Sequence, residues 1–249
     1  MHVVDDLGRE FELAAPPRRV VSLVPSLTEA IATSAPGLLV GATEYCVAPP
    51  WLDVERVRGT KNPDLARIAA LRPELVVANE EENRELDVRR LRERGIDVWV
   101  TRIDTVDEAL ASLRRLLHVL DAPHLAWLDE AERVWAEPAP FDRARVAVPI
   151  WRDPWMWVGA NTYADDVLRR LGLVNVVARD HRRYPHLEQT AVGADALVLL
   201  PDEPYPFGPA DREDFARSTL VEGRWLFWYG PTMVRARRAL VDACGAALA

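Results

Sequence analysis

The first hundred residues alternate between short apolar runs and amphipathic stretches. The apolar runs are rich in β-branched residues and end at turn signals: "RRVVSLV", "LLVGATEY", "ELVVAN" and "DVWVTR". The intervening segments "LTEAIATSA", "DLARIAALR" and "RELDVRRLRERG" have the spacing of helices. This strand–helix alternation predicts a parallel sheet covered by helices on both faces. Before it, "HVVDDLGREFEL" predicts a small hairpin that turns at Asp6, Leu7 and Gly8.

Two helix ends are marked by particular residues. Ser26 stands where an N-cap belongs, and Glu29 follows three residues later, as in a capping box. The backbone N–H groups near Ser26 and Thr28 could instead hold an anion. Gly95 is placed to end its helix at the C′ position.

Residues 105–135 form a long helical stretch whose only marked interruption is Pro123. A spacing of three to four makes one apolar stripe of Val106, Leu110, Leu113, Leu117 and Leu120. After the proline-rich segment "AEPAPFDRA", a second alternation begins with the predicted strand "RVAVPIW". It continues with strands "NVVA" and "ALVLLP", a short helix around "PADREDFAR", strands on either side of "EGR", and a closing helix.

The predicted fold is therefore α/β, with two Rossmann-like lobes that contain mainly parallel sheets. The N-terminal lobe spans residues 1–104 and the C-terminal lobe residues 137–249. A single long backbone helix, residues 105–136, joins them.

Charge and hydropathy exclude several functional classes. The formal net charge is -8, which argues against a nucleic-acid partner because phosphate binding needs a basic face. No apolar run approaches the roughly 20 residues of a membrane span, and the polar N-terminus has no signal-like apolar region. We therefore expect no membrane insertion and a cytoplasmic protein. Removal of an export signal would leave the same sequence and imply a periplasmic or extracytoplasmic one. Cys46 and Cys244 are expected to be free thiols.

The stretch "VPIWRDPWMWVGAN" concentrates three tryptophans at the predicted carboxyl end of a strand. Because open parallel sheets bind ligands at this end, the stretch is a candidate site. Trp151 continues the strand and is expected in the core. Trp155 and Trp157, in the loop, are expected to contact a ligand. Arg152 could pair with a ligand carboxylate or with a local acid such as Asp153.

The loop "NEEEN" places three carboxylates after another strand. One interpretation is a solvated loop with Asn83 as an N-cap. The other is a cationic or hydroxyl-rich ligand held by Glu80 or Glu81. In "PDEPYPFGP", Tyr205 and Phe207 are expected to add to the rim of the second lobe.

The five histidines do not predict a metal site. His181 and His186 lie five residues apart in a loop, and no third ligand is evident. No phosphate-binding loop, nucleophile elbow or zinc-protease motif occurs.

The segments "RRVVSLVPSLTEAIA", "GATEYCVAPP", "PDLARIAALRPELVVA" and "LRERGIDVWV" resemble the substrate-binding proteins of ABC importers for cobalamin, haem and iron siderophores. The resemblance implies two lobes on a rigid backbone helix, with the ligand in the interlobe cleft. It also implies aromatic cleft positions at Tyr45 and near Trp155 and Tyr184, and a cleft-facing loop at Lys61. A corrinoid is the first expected ligand, with haem or a ferric chelate as alternatives, and no resident cofactor is expected.

The sequence departs from this family in two respects. The loop "ANEEEN" replaces a more aromatic, less acidic segment of the cobalamin binders. Where periplasmic members carry a glutamate that docks on a permease, the first lobe has Ala66, and Glu188 is the candidate in the second. The leading hypothesis is a small-molecule-binding protein, with an ABC permease as a questionable partner. The alternative is a cytoplasmic enzyme or accessory protein that uses Glu80, Glu81 or His186.

Overall fold

The structure is a computed structural model that describes residues 1–178 and 181–249, and it divides the chain into two compact units. The first unit comprises Met1–Arg102, Glu108–Asp129 and Tyr229–Pro231, and the second comprises Ile103–Asp107, Glu130–Trp228 and Thr232–Ala249. Each unit contains a parallel sheet, which confirms the predicted α/β class with mainly parallel sheets.

The strands of the first unit are β1 (His2–Val4), β2 (Glu10–Glu12), β3 (Val20–Ser22), β4 (Leu39–Ala42), β5 (Glu55–Arg56), β6 (Arg58–Gly59), β7 (Asn62–Pro63), β8 (Leu75–Asn79) and β9 (Val98–Thr101). Five of them form a parallel sheet in the order β5-β4-β3-β8-β9. The chain moves from β3 to one side through β4 and β5, then to the other through β8 and β9. The strand order therefore reverses between β3 and β8, as in a Rossmann sheet.

The predicted N-terminal hairpin is confirmed, since β1 and β2 pair in antiparallel fashion. Gly8, in its turn, has a φ of 80°, a conformation that glycine adopts without steric cost. The carboxylate of Asp5 accepts hydrogen bonds from the backbone N–H groups of Leu7, Arg9 and Val100. These bonds attach the hairpin to the sheet.

Three helices connect strands of the first unit: α1 (Pro25–Ser34), α2 (Leu65–Ala70) and α3 (Glu85–Glu93). Gly95 follows α3 with a φ of 76°, as predicted for C′. The predicted capping box of Ser26 is wrong. Val24 is the N-cap of α1 and Pro25 occupies the first turn, where its fixed φ suits a helix start. Ser26 is therefore buried inside the helix.

The helical stretch after β9 consists of two helices, α4 (Val106–Val119) and α5 (Ala126–Trp135). At the end of α4, the N–H of Ala122 donates to the carbonyl of Leu117, and the N–H of Asp121 donates to that of His118. Asp121 has a φ of 51°. This is a Schellman-type helix end followed by Pro123, so the division falls at the interruption that the sequence marks.

The strands of the second unit are β10 (Ala144–Ala147), β11 (Pro149–Trp151), β12 (Met156–Trp157), β13 (Leu173–Asn175), β14 (Leu197–Pro201) and β15 (Ser218–Val221). Four of them form a parallel sheet in the order β13-β10-β14-β15. Its strand order reverses between β10 and β14. Strands β11 and β12 form an antiparallel hairpin directly after β10.

The second unit also contains the helices α6 (Tyr163–Arg170), α7 (Arg224–Phe227) and α8 (Met233–Leu248), and the 3-10 helices Gln189–Ala191 and Pro209–Asp214. The predicted strand after "EGR" is wrong, because that segment forms α7 and packs against α8. Tertiary packing overrides the β-propensity of its aromatic residues.

Among the described residues, none of the helices is long and apolar enough to cross a membrane.

Candidate functional site

In the first unit, three of the four candidate residues lie on loops that follow the carboxyl ends of parallel strands, and the fourth, Lys61, lies in an antiparallel turn that contacts one of these loops. Tyr45 follows β4, Lys61 lies in the turn between β6 and β7, and Glu80 and Glu81 follow β8. The β8 loop stands at the reversal of strand order, where open α/β sheets bind ligands. These residues therefore share the edge that the sequence predicts.

Tyr45 belongs to a loop of residues 43–52, which we call the β4 loop. Its side chain is 64% exposed, so the ring is available to a ligand. A Cβ atom added at Gly59 would lie 3.0 Å from the Cε2 atom of this ring. The absence of a side chain at Gly59 therefore leaves room for the ring on the neighbouring strand β6.

Two buried asparagines hold the "NEEEN" loop. The side-chain oxygen of Asn79 accepts hydrogen bonds from the N–H groups of Glu81 and Glu82, and its Nδ2 donates to Thr101. The side-chain oxygen of Asn83 accepts a hydrogen bond from the N–H of Asn79. Its Nδ2 also donates to the carbonyls of residues 23 and 60. Asn83 is thus not the N-cap of α3, which is Arg84, but a link between three loops.

The charged candidates of the first unit have partners within the protein. Glu80 forms a two-point ion pair with Arg102, in which Nη2 lies 2.5 Å from Oε1. The Nζ atom of Lys61 donates to the backbone carbonyl of Glu81 at 2.6 Å. The structure thus brings Lys61 and Glu81 together and gives Glu80 a structural role.

In the second unit, the tryptophan-rich stretch forms the β11–β12 hairpin. Trp157 is 0% exposed, and its Nε1 donates to the carbonyl of Leu187 at 2.8 Å. Trp157 is therefore a core residue, which corrects the expectation that it contacts a ligand. Trp151 is 46% exposed, which corrects the expectation that it lies in the core. The β11–β12 hairpin reverses the expected burial of the two rings, because its second strand packs residue 157 against the core and its first strand ends with residue 151 at the surface.

Trp155 is half-buried in an aromatic cluster. Its ring stacks on Trp157 with centroids 5.7 Å apart and on Phe207 at 6.0 Å, and it meets the edge of Phe215 at 5.5 Å. Phe207 is 4% exposed, which corrects the expectation that it lies on the rim. Phe215 was not identified from the sequence, because its position in an irregular segment gives no periodic signal. These contacts make Trp155 the link between the core and the exposed edge.

Arg152 pairs with local acids. Its guanidinium lies 2.5 Å from Asp211 and 3.0 Å from Asp214, both in the 3-10 helix Pro209–Asp214. It also stands 5.3 Å from the centre of the Trp155 ring, in cation–π contact. Asp153 is more distant, at 3.9 Å. Arg152 was expected to pair either with a ligand carboxylate or with a local acid, and the structure shows the ion pair with nearby acids.

Tyr205 and Tyr184 reach the same part of the second unit. Tyr205 is half-buried and meets the ring of Trp151 edge-on, with centroids 5.6 Å apart. Tyr184 lies in a segment that pairs with the hairpin, since the N–H of Trp157 donates to the carbonyl of Pro185. Trp151 is thus the exposed ring of this edge, and Tyr205 and Tyr184 are partly exposed, as Trp155 and Phe215 are.

The residues proposed for acid–base chemistry belong to different units. Glu80 and Glu81 belong to the first unit and His186 to the second, where its backbone pairs with Met156. Across residues 1–178 and 181–249, no group of three or more histidine, cysteine, aspartate or glutamate side chains is arranged to hold a metal ion. Cys46 and Cys244 are free thiols, as predicted.

Comparison with known proteins identifies relatives in sequence and in fold. No protein-family model matches the chain. The vitamin B12-binding protein of Salmonella typhimurium strain LT2 is 32% identical over 187 residues, which cover 72% of this chain and 69% of the relative.

Two solved structures share the fold. The periplasmic vitamin B12 binding protein BtuF of Vibrio cholerae has a TM-score of 0.75 at 19% identity and covers 94% of this chain and 98% of its own. The periplasmic heme-binding protein RhuT from Roseiflexus sp. RS-1, in apo form, has a TM-score of 0.75 at 20% identity and covers 93% and 99%. On the strength of the sequence relative, the chain belongs to the family of vitamin B12-binding proteins, among the cobalamin, haem and siderophore binding proteins that its motifs resemble.

Proposed function

We propose that this chain is a substrate-binding protein that holds a corrinoid, with cobalamin as the first choice. The observation that carries the proposal is the set of solvent-accessible aromatic side chains at the carboxyl ends of strands in both sheets. Tyr45 supplies one in the first unit, and Trp151 and Tyr205 supply a pair in the second. The sequence relatives, whose names specify vitamin B12, support the same ligand class.

The residues have different parts in this proposal. Tyr45, Trp151, Tyr184 and Tyr205 present rings to a large flat ligand, and Trp155 supports them from its half-buried position. Polar orientation comes from Lys61 and Glu81, while Glu80 holds the "NEEEN" loop through its ion pair with Arg102. Ligand sites of this kind are mostly apolar with a few placed polar groups.

Titration with cyanocobalamin, haemin and a ferric hydroxamate chelate, followed by tryptophan fluorescence and calorimetry, tests the proposal. We expect saturable one-to-one binding of cyanocobalamin.

A matched pair of variants tests which residues form the site. Trp151→Ala should weaken binding at least about tenfold and leave the free energy of unfolding within about 1 kcal/mol of its original value. Trp157→Ala should lower that free energy by about 3–5 kcal/mol, because it removes a fully buried ring. An absence of binding to all three probes would contradict the proposal.

Haem is the second candidate ligand, because a heme-binding protein shares the fold over nearly the whole chain. The same titration separates the two. Tighter binding of haemin than of cyanocobalamin would assign the chain to haem.

We also propose an extracytoplasmic location and weak docking on an ABC permease. The location is supported by solved neighbours described as periplasmic. The weak docking is supported by Ala66, which is exposed on α2 where the resemblance places a docking glutamate. Fractionation of the source cells, with immunodetection in each compartment, tests the location.

A further inference from the structure

The β4 loop carries the three most exposed large apolar side chains among the described residues. Val47 is 70% exposed, Tyr45 64% and Trp51 60%, whereas the next, Trp151, is 46% exposed. A single exposed apolar side chain is ordinary at a protein surface. Three of them within seven positions of one loop mark an interaction surface.

The β4 loop is fixed in place by one arginine. The guanidinium of Arg56 donates to the carbonyls of Thr43 at 3.2 Å, Cys46 at 2.9 Å and Leu52 at 3.2 Å. These bonds hold the start, the middle and the end of the loop. In addition, the Cys46 side chain is buried against Thr28, with the Oγ1 and Sγ atoms 3.0 Å apart. A loop held in this way loses little conformational freedom when a ligand binds, so its exposed side chains are pre-organised.

The position of the loop connects it to the proposed ligand site. It follows the carboxyl end of β4, beside the strand where the sheet order reverses. The β6–β7 turn lies against both loops. Asn83 and Lys61 join it to the "NEEEN" loop, since Asn83 Nδ2 donates to the carbonyl of residue 60 at 3.0 Å and Lys61 Nζ donates to that of Glu81 at 2.6 Å. On the other side, a Cβ atom added at Gly59 would lie 3.0 Å from the Tyr45 ring. The turn therefore links the β4 loop to the "NEEEN" loop.

We propose that Val47 and Trp51 are ligand-contact residues, and that with Tyr45 they pack against the uncharged face of a macrocycle. This inference rests on the proposed function and specifies the ligand surface of the first unit. The "NEEEN" loop, which the β6–β7 turn links to the β4 loop, carries the negatively charged side chain of Glu82 on the same edge of the sheet. A ligand with carboxamide donors on its rim, such as a corrinoid, fits there better than one with carboxylates, such as haem.

The dissociation constant of cyanocobalamin, measured by calorimetry on the full chain, tests the contact. We expect Trp51→Ala to weaken binding at least about tenfold, because a ring at the centre of a contact often contributes that much. Trp51→Phe keeps an aromatic face and should lose less than Trp51→Ala. Val47→Ala should weaken binding a few-fold. Leu86→Ala is the control, since Leu86 is 40% exposed on α3 of the same unit, and it should bind as the original chain does.

The choice between a corrinoid and haem is tested by comparing the dissociation constants of haemin and cyanocobalamin. Glu82→Gln should lower the ratio of the haemin to the cyanocobalamin dissociation constant, because it removes a charge that repels carboxylates. An unchanged ratio, or a ratio below one in the original chain, would overturn the ligand class.

The outcomes separate this inference from the proposed function. Cyanocobalamin binding that is equal in the original chain and in Trp51→Ala would overturn the inference and leave the proposed function intact. Failure of the original chain to bind cyanocobalamin, haemin or the ferric hydroxamate would overturn both.

Discussion

Glu203 is a partly buried glutamate that follows the carboxyl end of β14. Its Oε1 atom is buried and has no hydrogen-bond partner among the described residues. Burial raises the pKa of Glu203, the neighbouring charge of Asp202 raises it further, and a hydrogen bond from Trp228 and the charge of Arg224 lower it. Gly223 packs closely on Glu203, because a Cβ atom added at Gly223 would lie 2.4 Å from the Cγ atom of Glu203.

This shift predicts how stability depends on pH. Between the ordinary pKa of glutamate and the raised pKa, the folded protein holds a proton that the unfolded chain releases. Stability should therefore fall as pH rises through this window. Glu203→Gln removes the titration, so urea unfolding should show the variant gaining stability relative to the original chain from pH 4 to pH 7. Glu213→Gln, at an exposed position, is the control. A difference that does not change with pH would show that Glu203 is not buried as described.

Trp151 and Trp157 show what residue-level patterns can and cannot predict. Their stretch was identified as a site because aromatic and charged residues follow a strand. Which ring faces solvent depended on the turn of the β11–β12 hairpin, and Asp153 and Pro154 predict a turn there but not its geometry. The partner of Arg152 could not be predicted either. Its acids, Asp211 and Asp214, lie about sixty residues away in sequence, so no local pattern links them to Arg152.

At the scale of elements, one guanidinium joins the hairpin to the 3-10 helix Pro209–Asp214. Arg152 binds Asp211 and Asp214, and Asp211 in turn accepts a hydrogen bond from the N–H of Gly208 at 2.7 Å. Trp155 packs beneath the guanidinium. The hairpin that carries Trp151 and the segment that carries Tyr205 are therefore held as one surface.

Arg152→Ala should lower the free energy of unfolding by about 1–3 kcal/mol, because it leaves two partly buried carboxylates without their cation. Arg145→Ala is the matched control. Arg145 pairs with Asp195 at an exposed site, and its loss should cost less than about 1 kcal/mol. Guanidinium denaturation of both variants provides the comparison. Equal losses would show that the Arg152 pair behaves as an ordinary surface ion pair.

At the scale of the whole molecule, each compact unit is assembled from three separate segments of the chain. Residues 108–129 belong to the first unit although they follow the start of the second, and residues 229–231 return to the first near the C-terminus. Neither unit is a continuous fragment. Ligand effects on stability are therefore best measured on the full chain.

A ligand that binds only the folded protein stabilises it by mass action. With cyanocobalamin at one hundred times its dissociation constant, we expect the free energy of unfolding to rise by about 2.7 kcal/mol. This corresponds to an increase in Tm of roughly 5–10 °C. Differential scanning calorimetry checks the shift, and haemin at the same multiple of its own dissociation constant is the comparison. A cyanocobalamin Tm shift that does not grow with concentration would contradict specific binding.

The sequence by itself determined the α/β class, the parallel sheets, the N-terminal hairpin and the strand ends where the site residues lie. It could do so because hydrophobic periodicity and turn residues act locally, within about ten positions. It also determined the family, because several motifs occur in order along most of the chain.

Only the tertiary structure decided which side chains are exposed. In the structure, Trp157 lies in the core and Trp151 at the surface, and Ser26 lies inside α1 and not at its N-cap. The segment after residue 223 forms α7 instead of the predicted strand. Contacts between residues far apart in sequence decided each case: the pairing of residues 183–187 with the hairpin, the ion pairs of Arg152, and the packing of α7 on α8. Such contacts leave no periodic signal in the chain, so burial at a site is decided when distant segments pack.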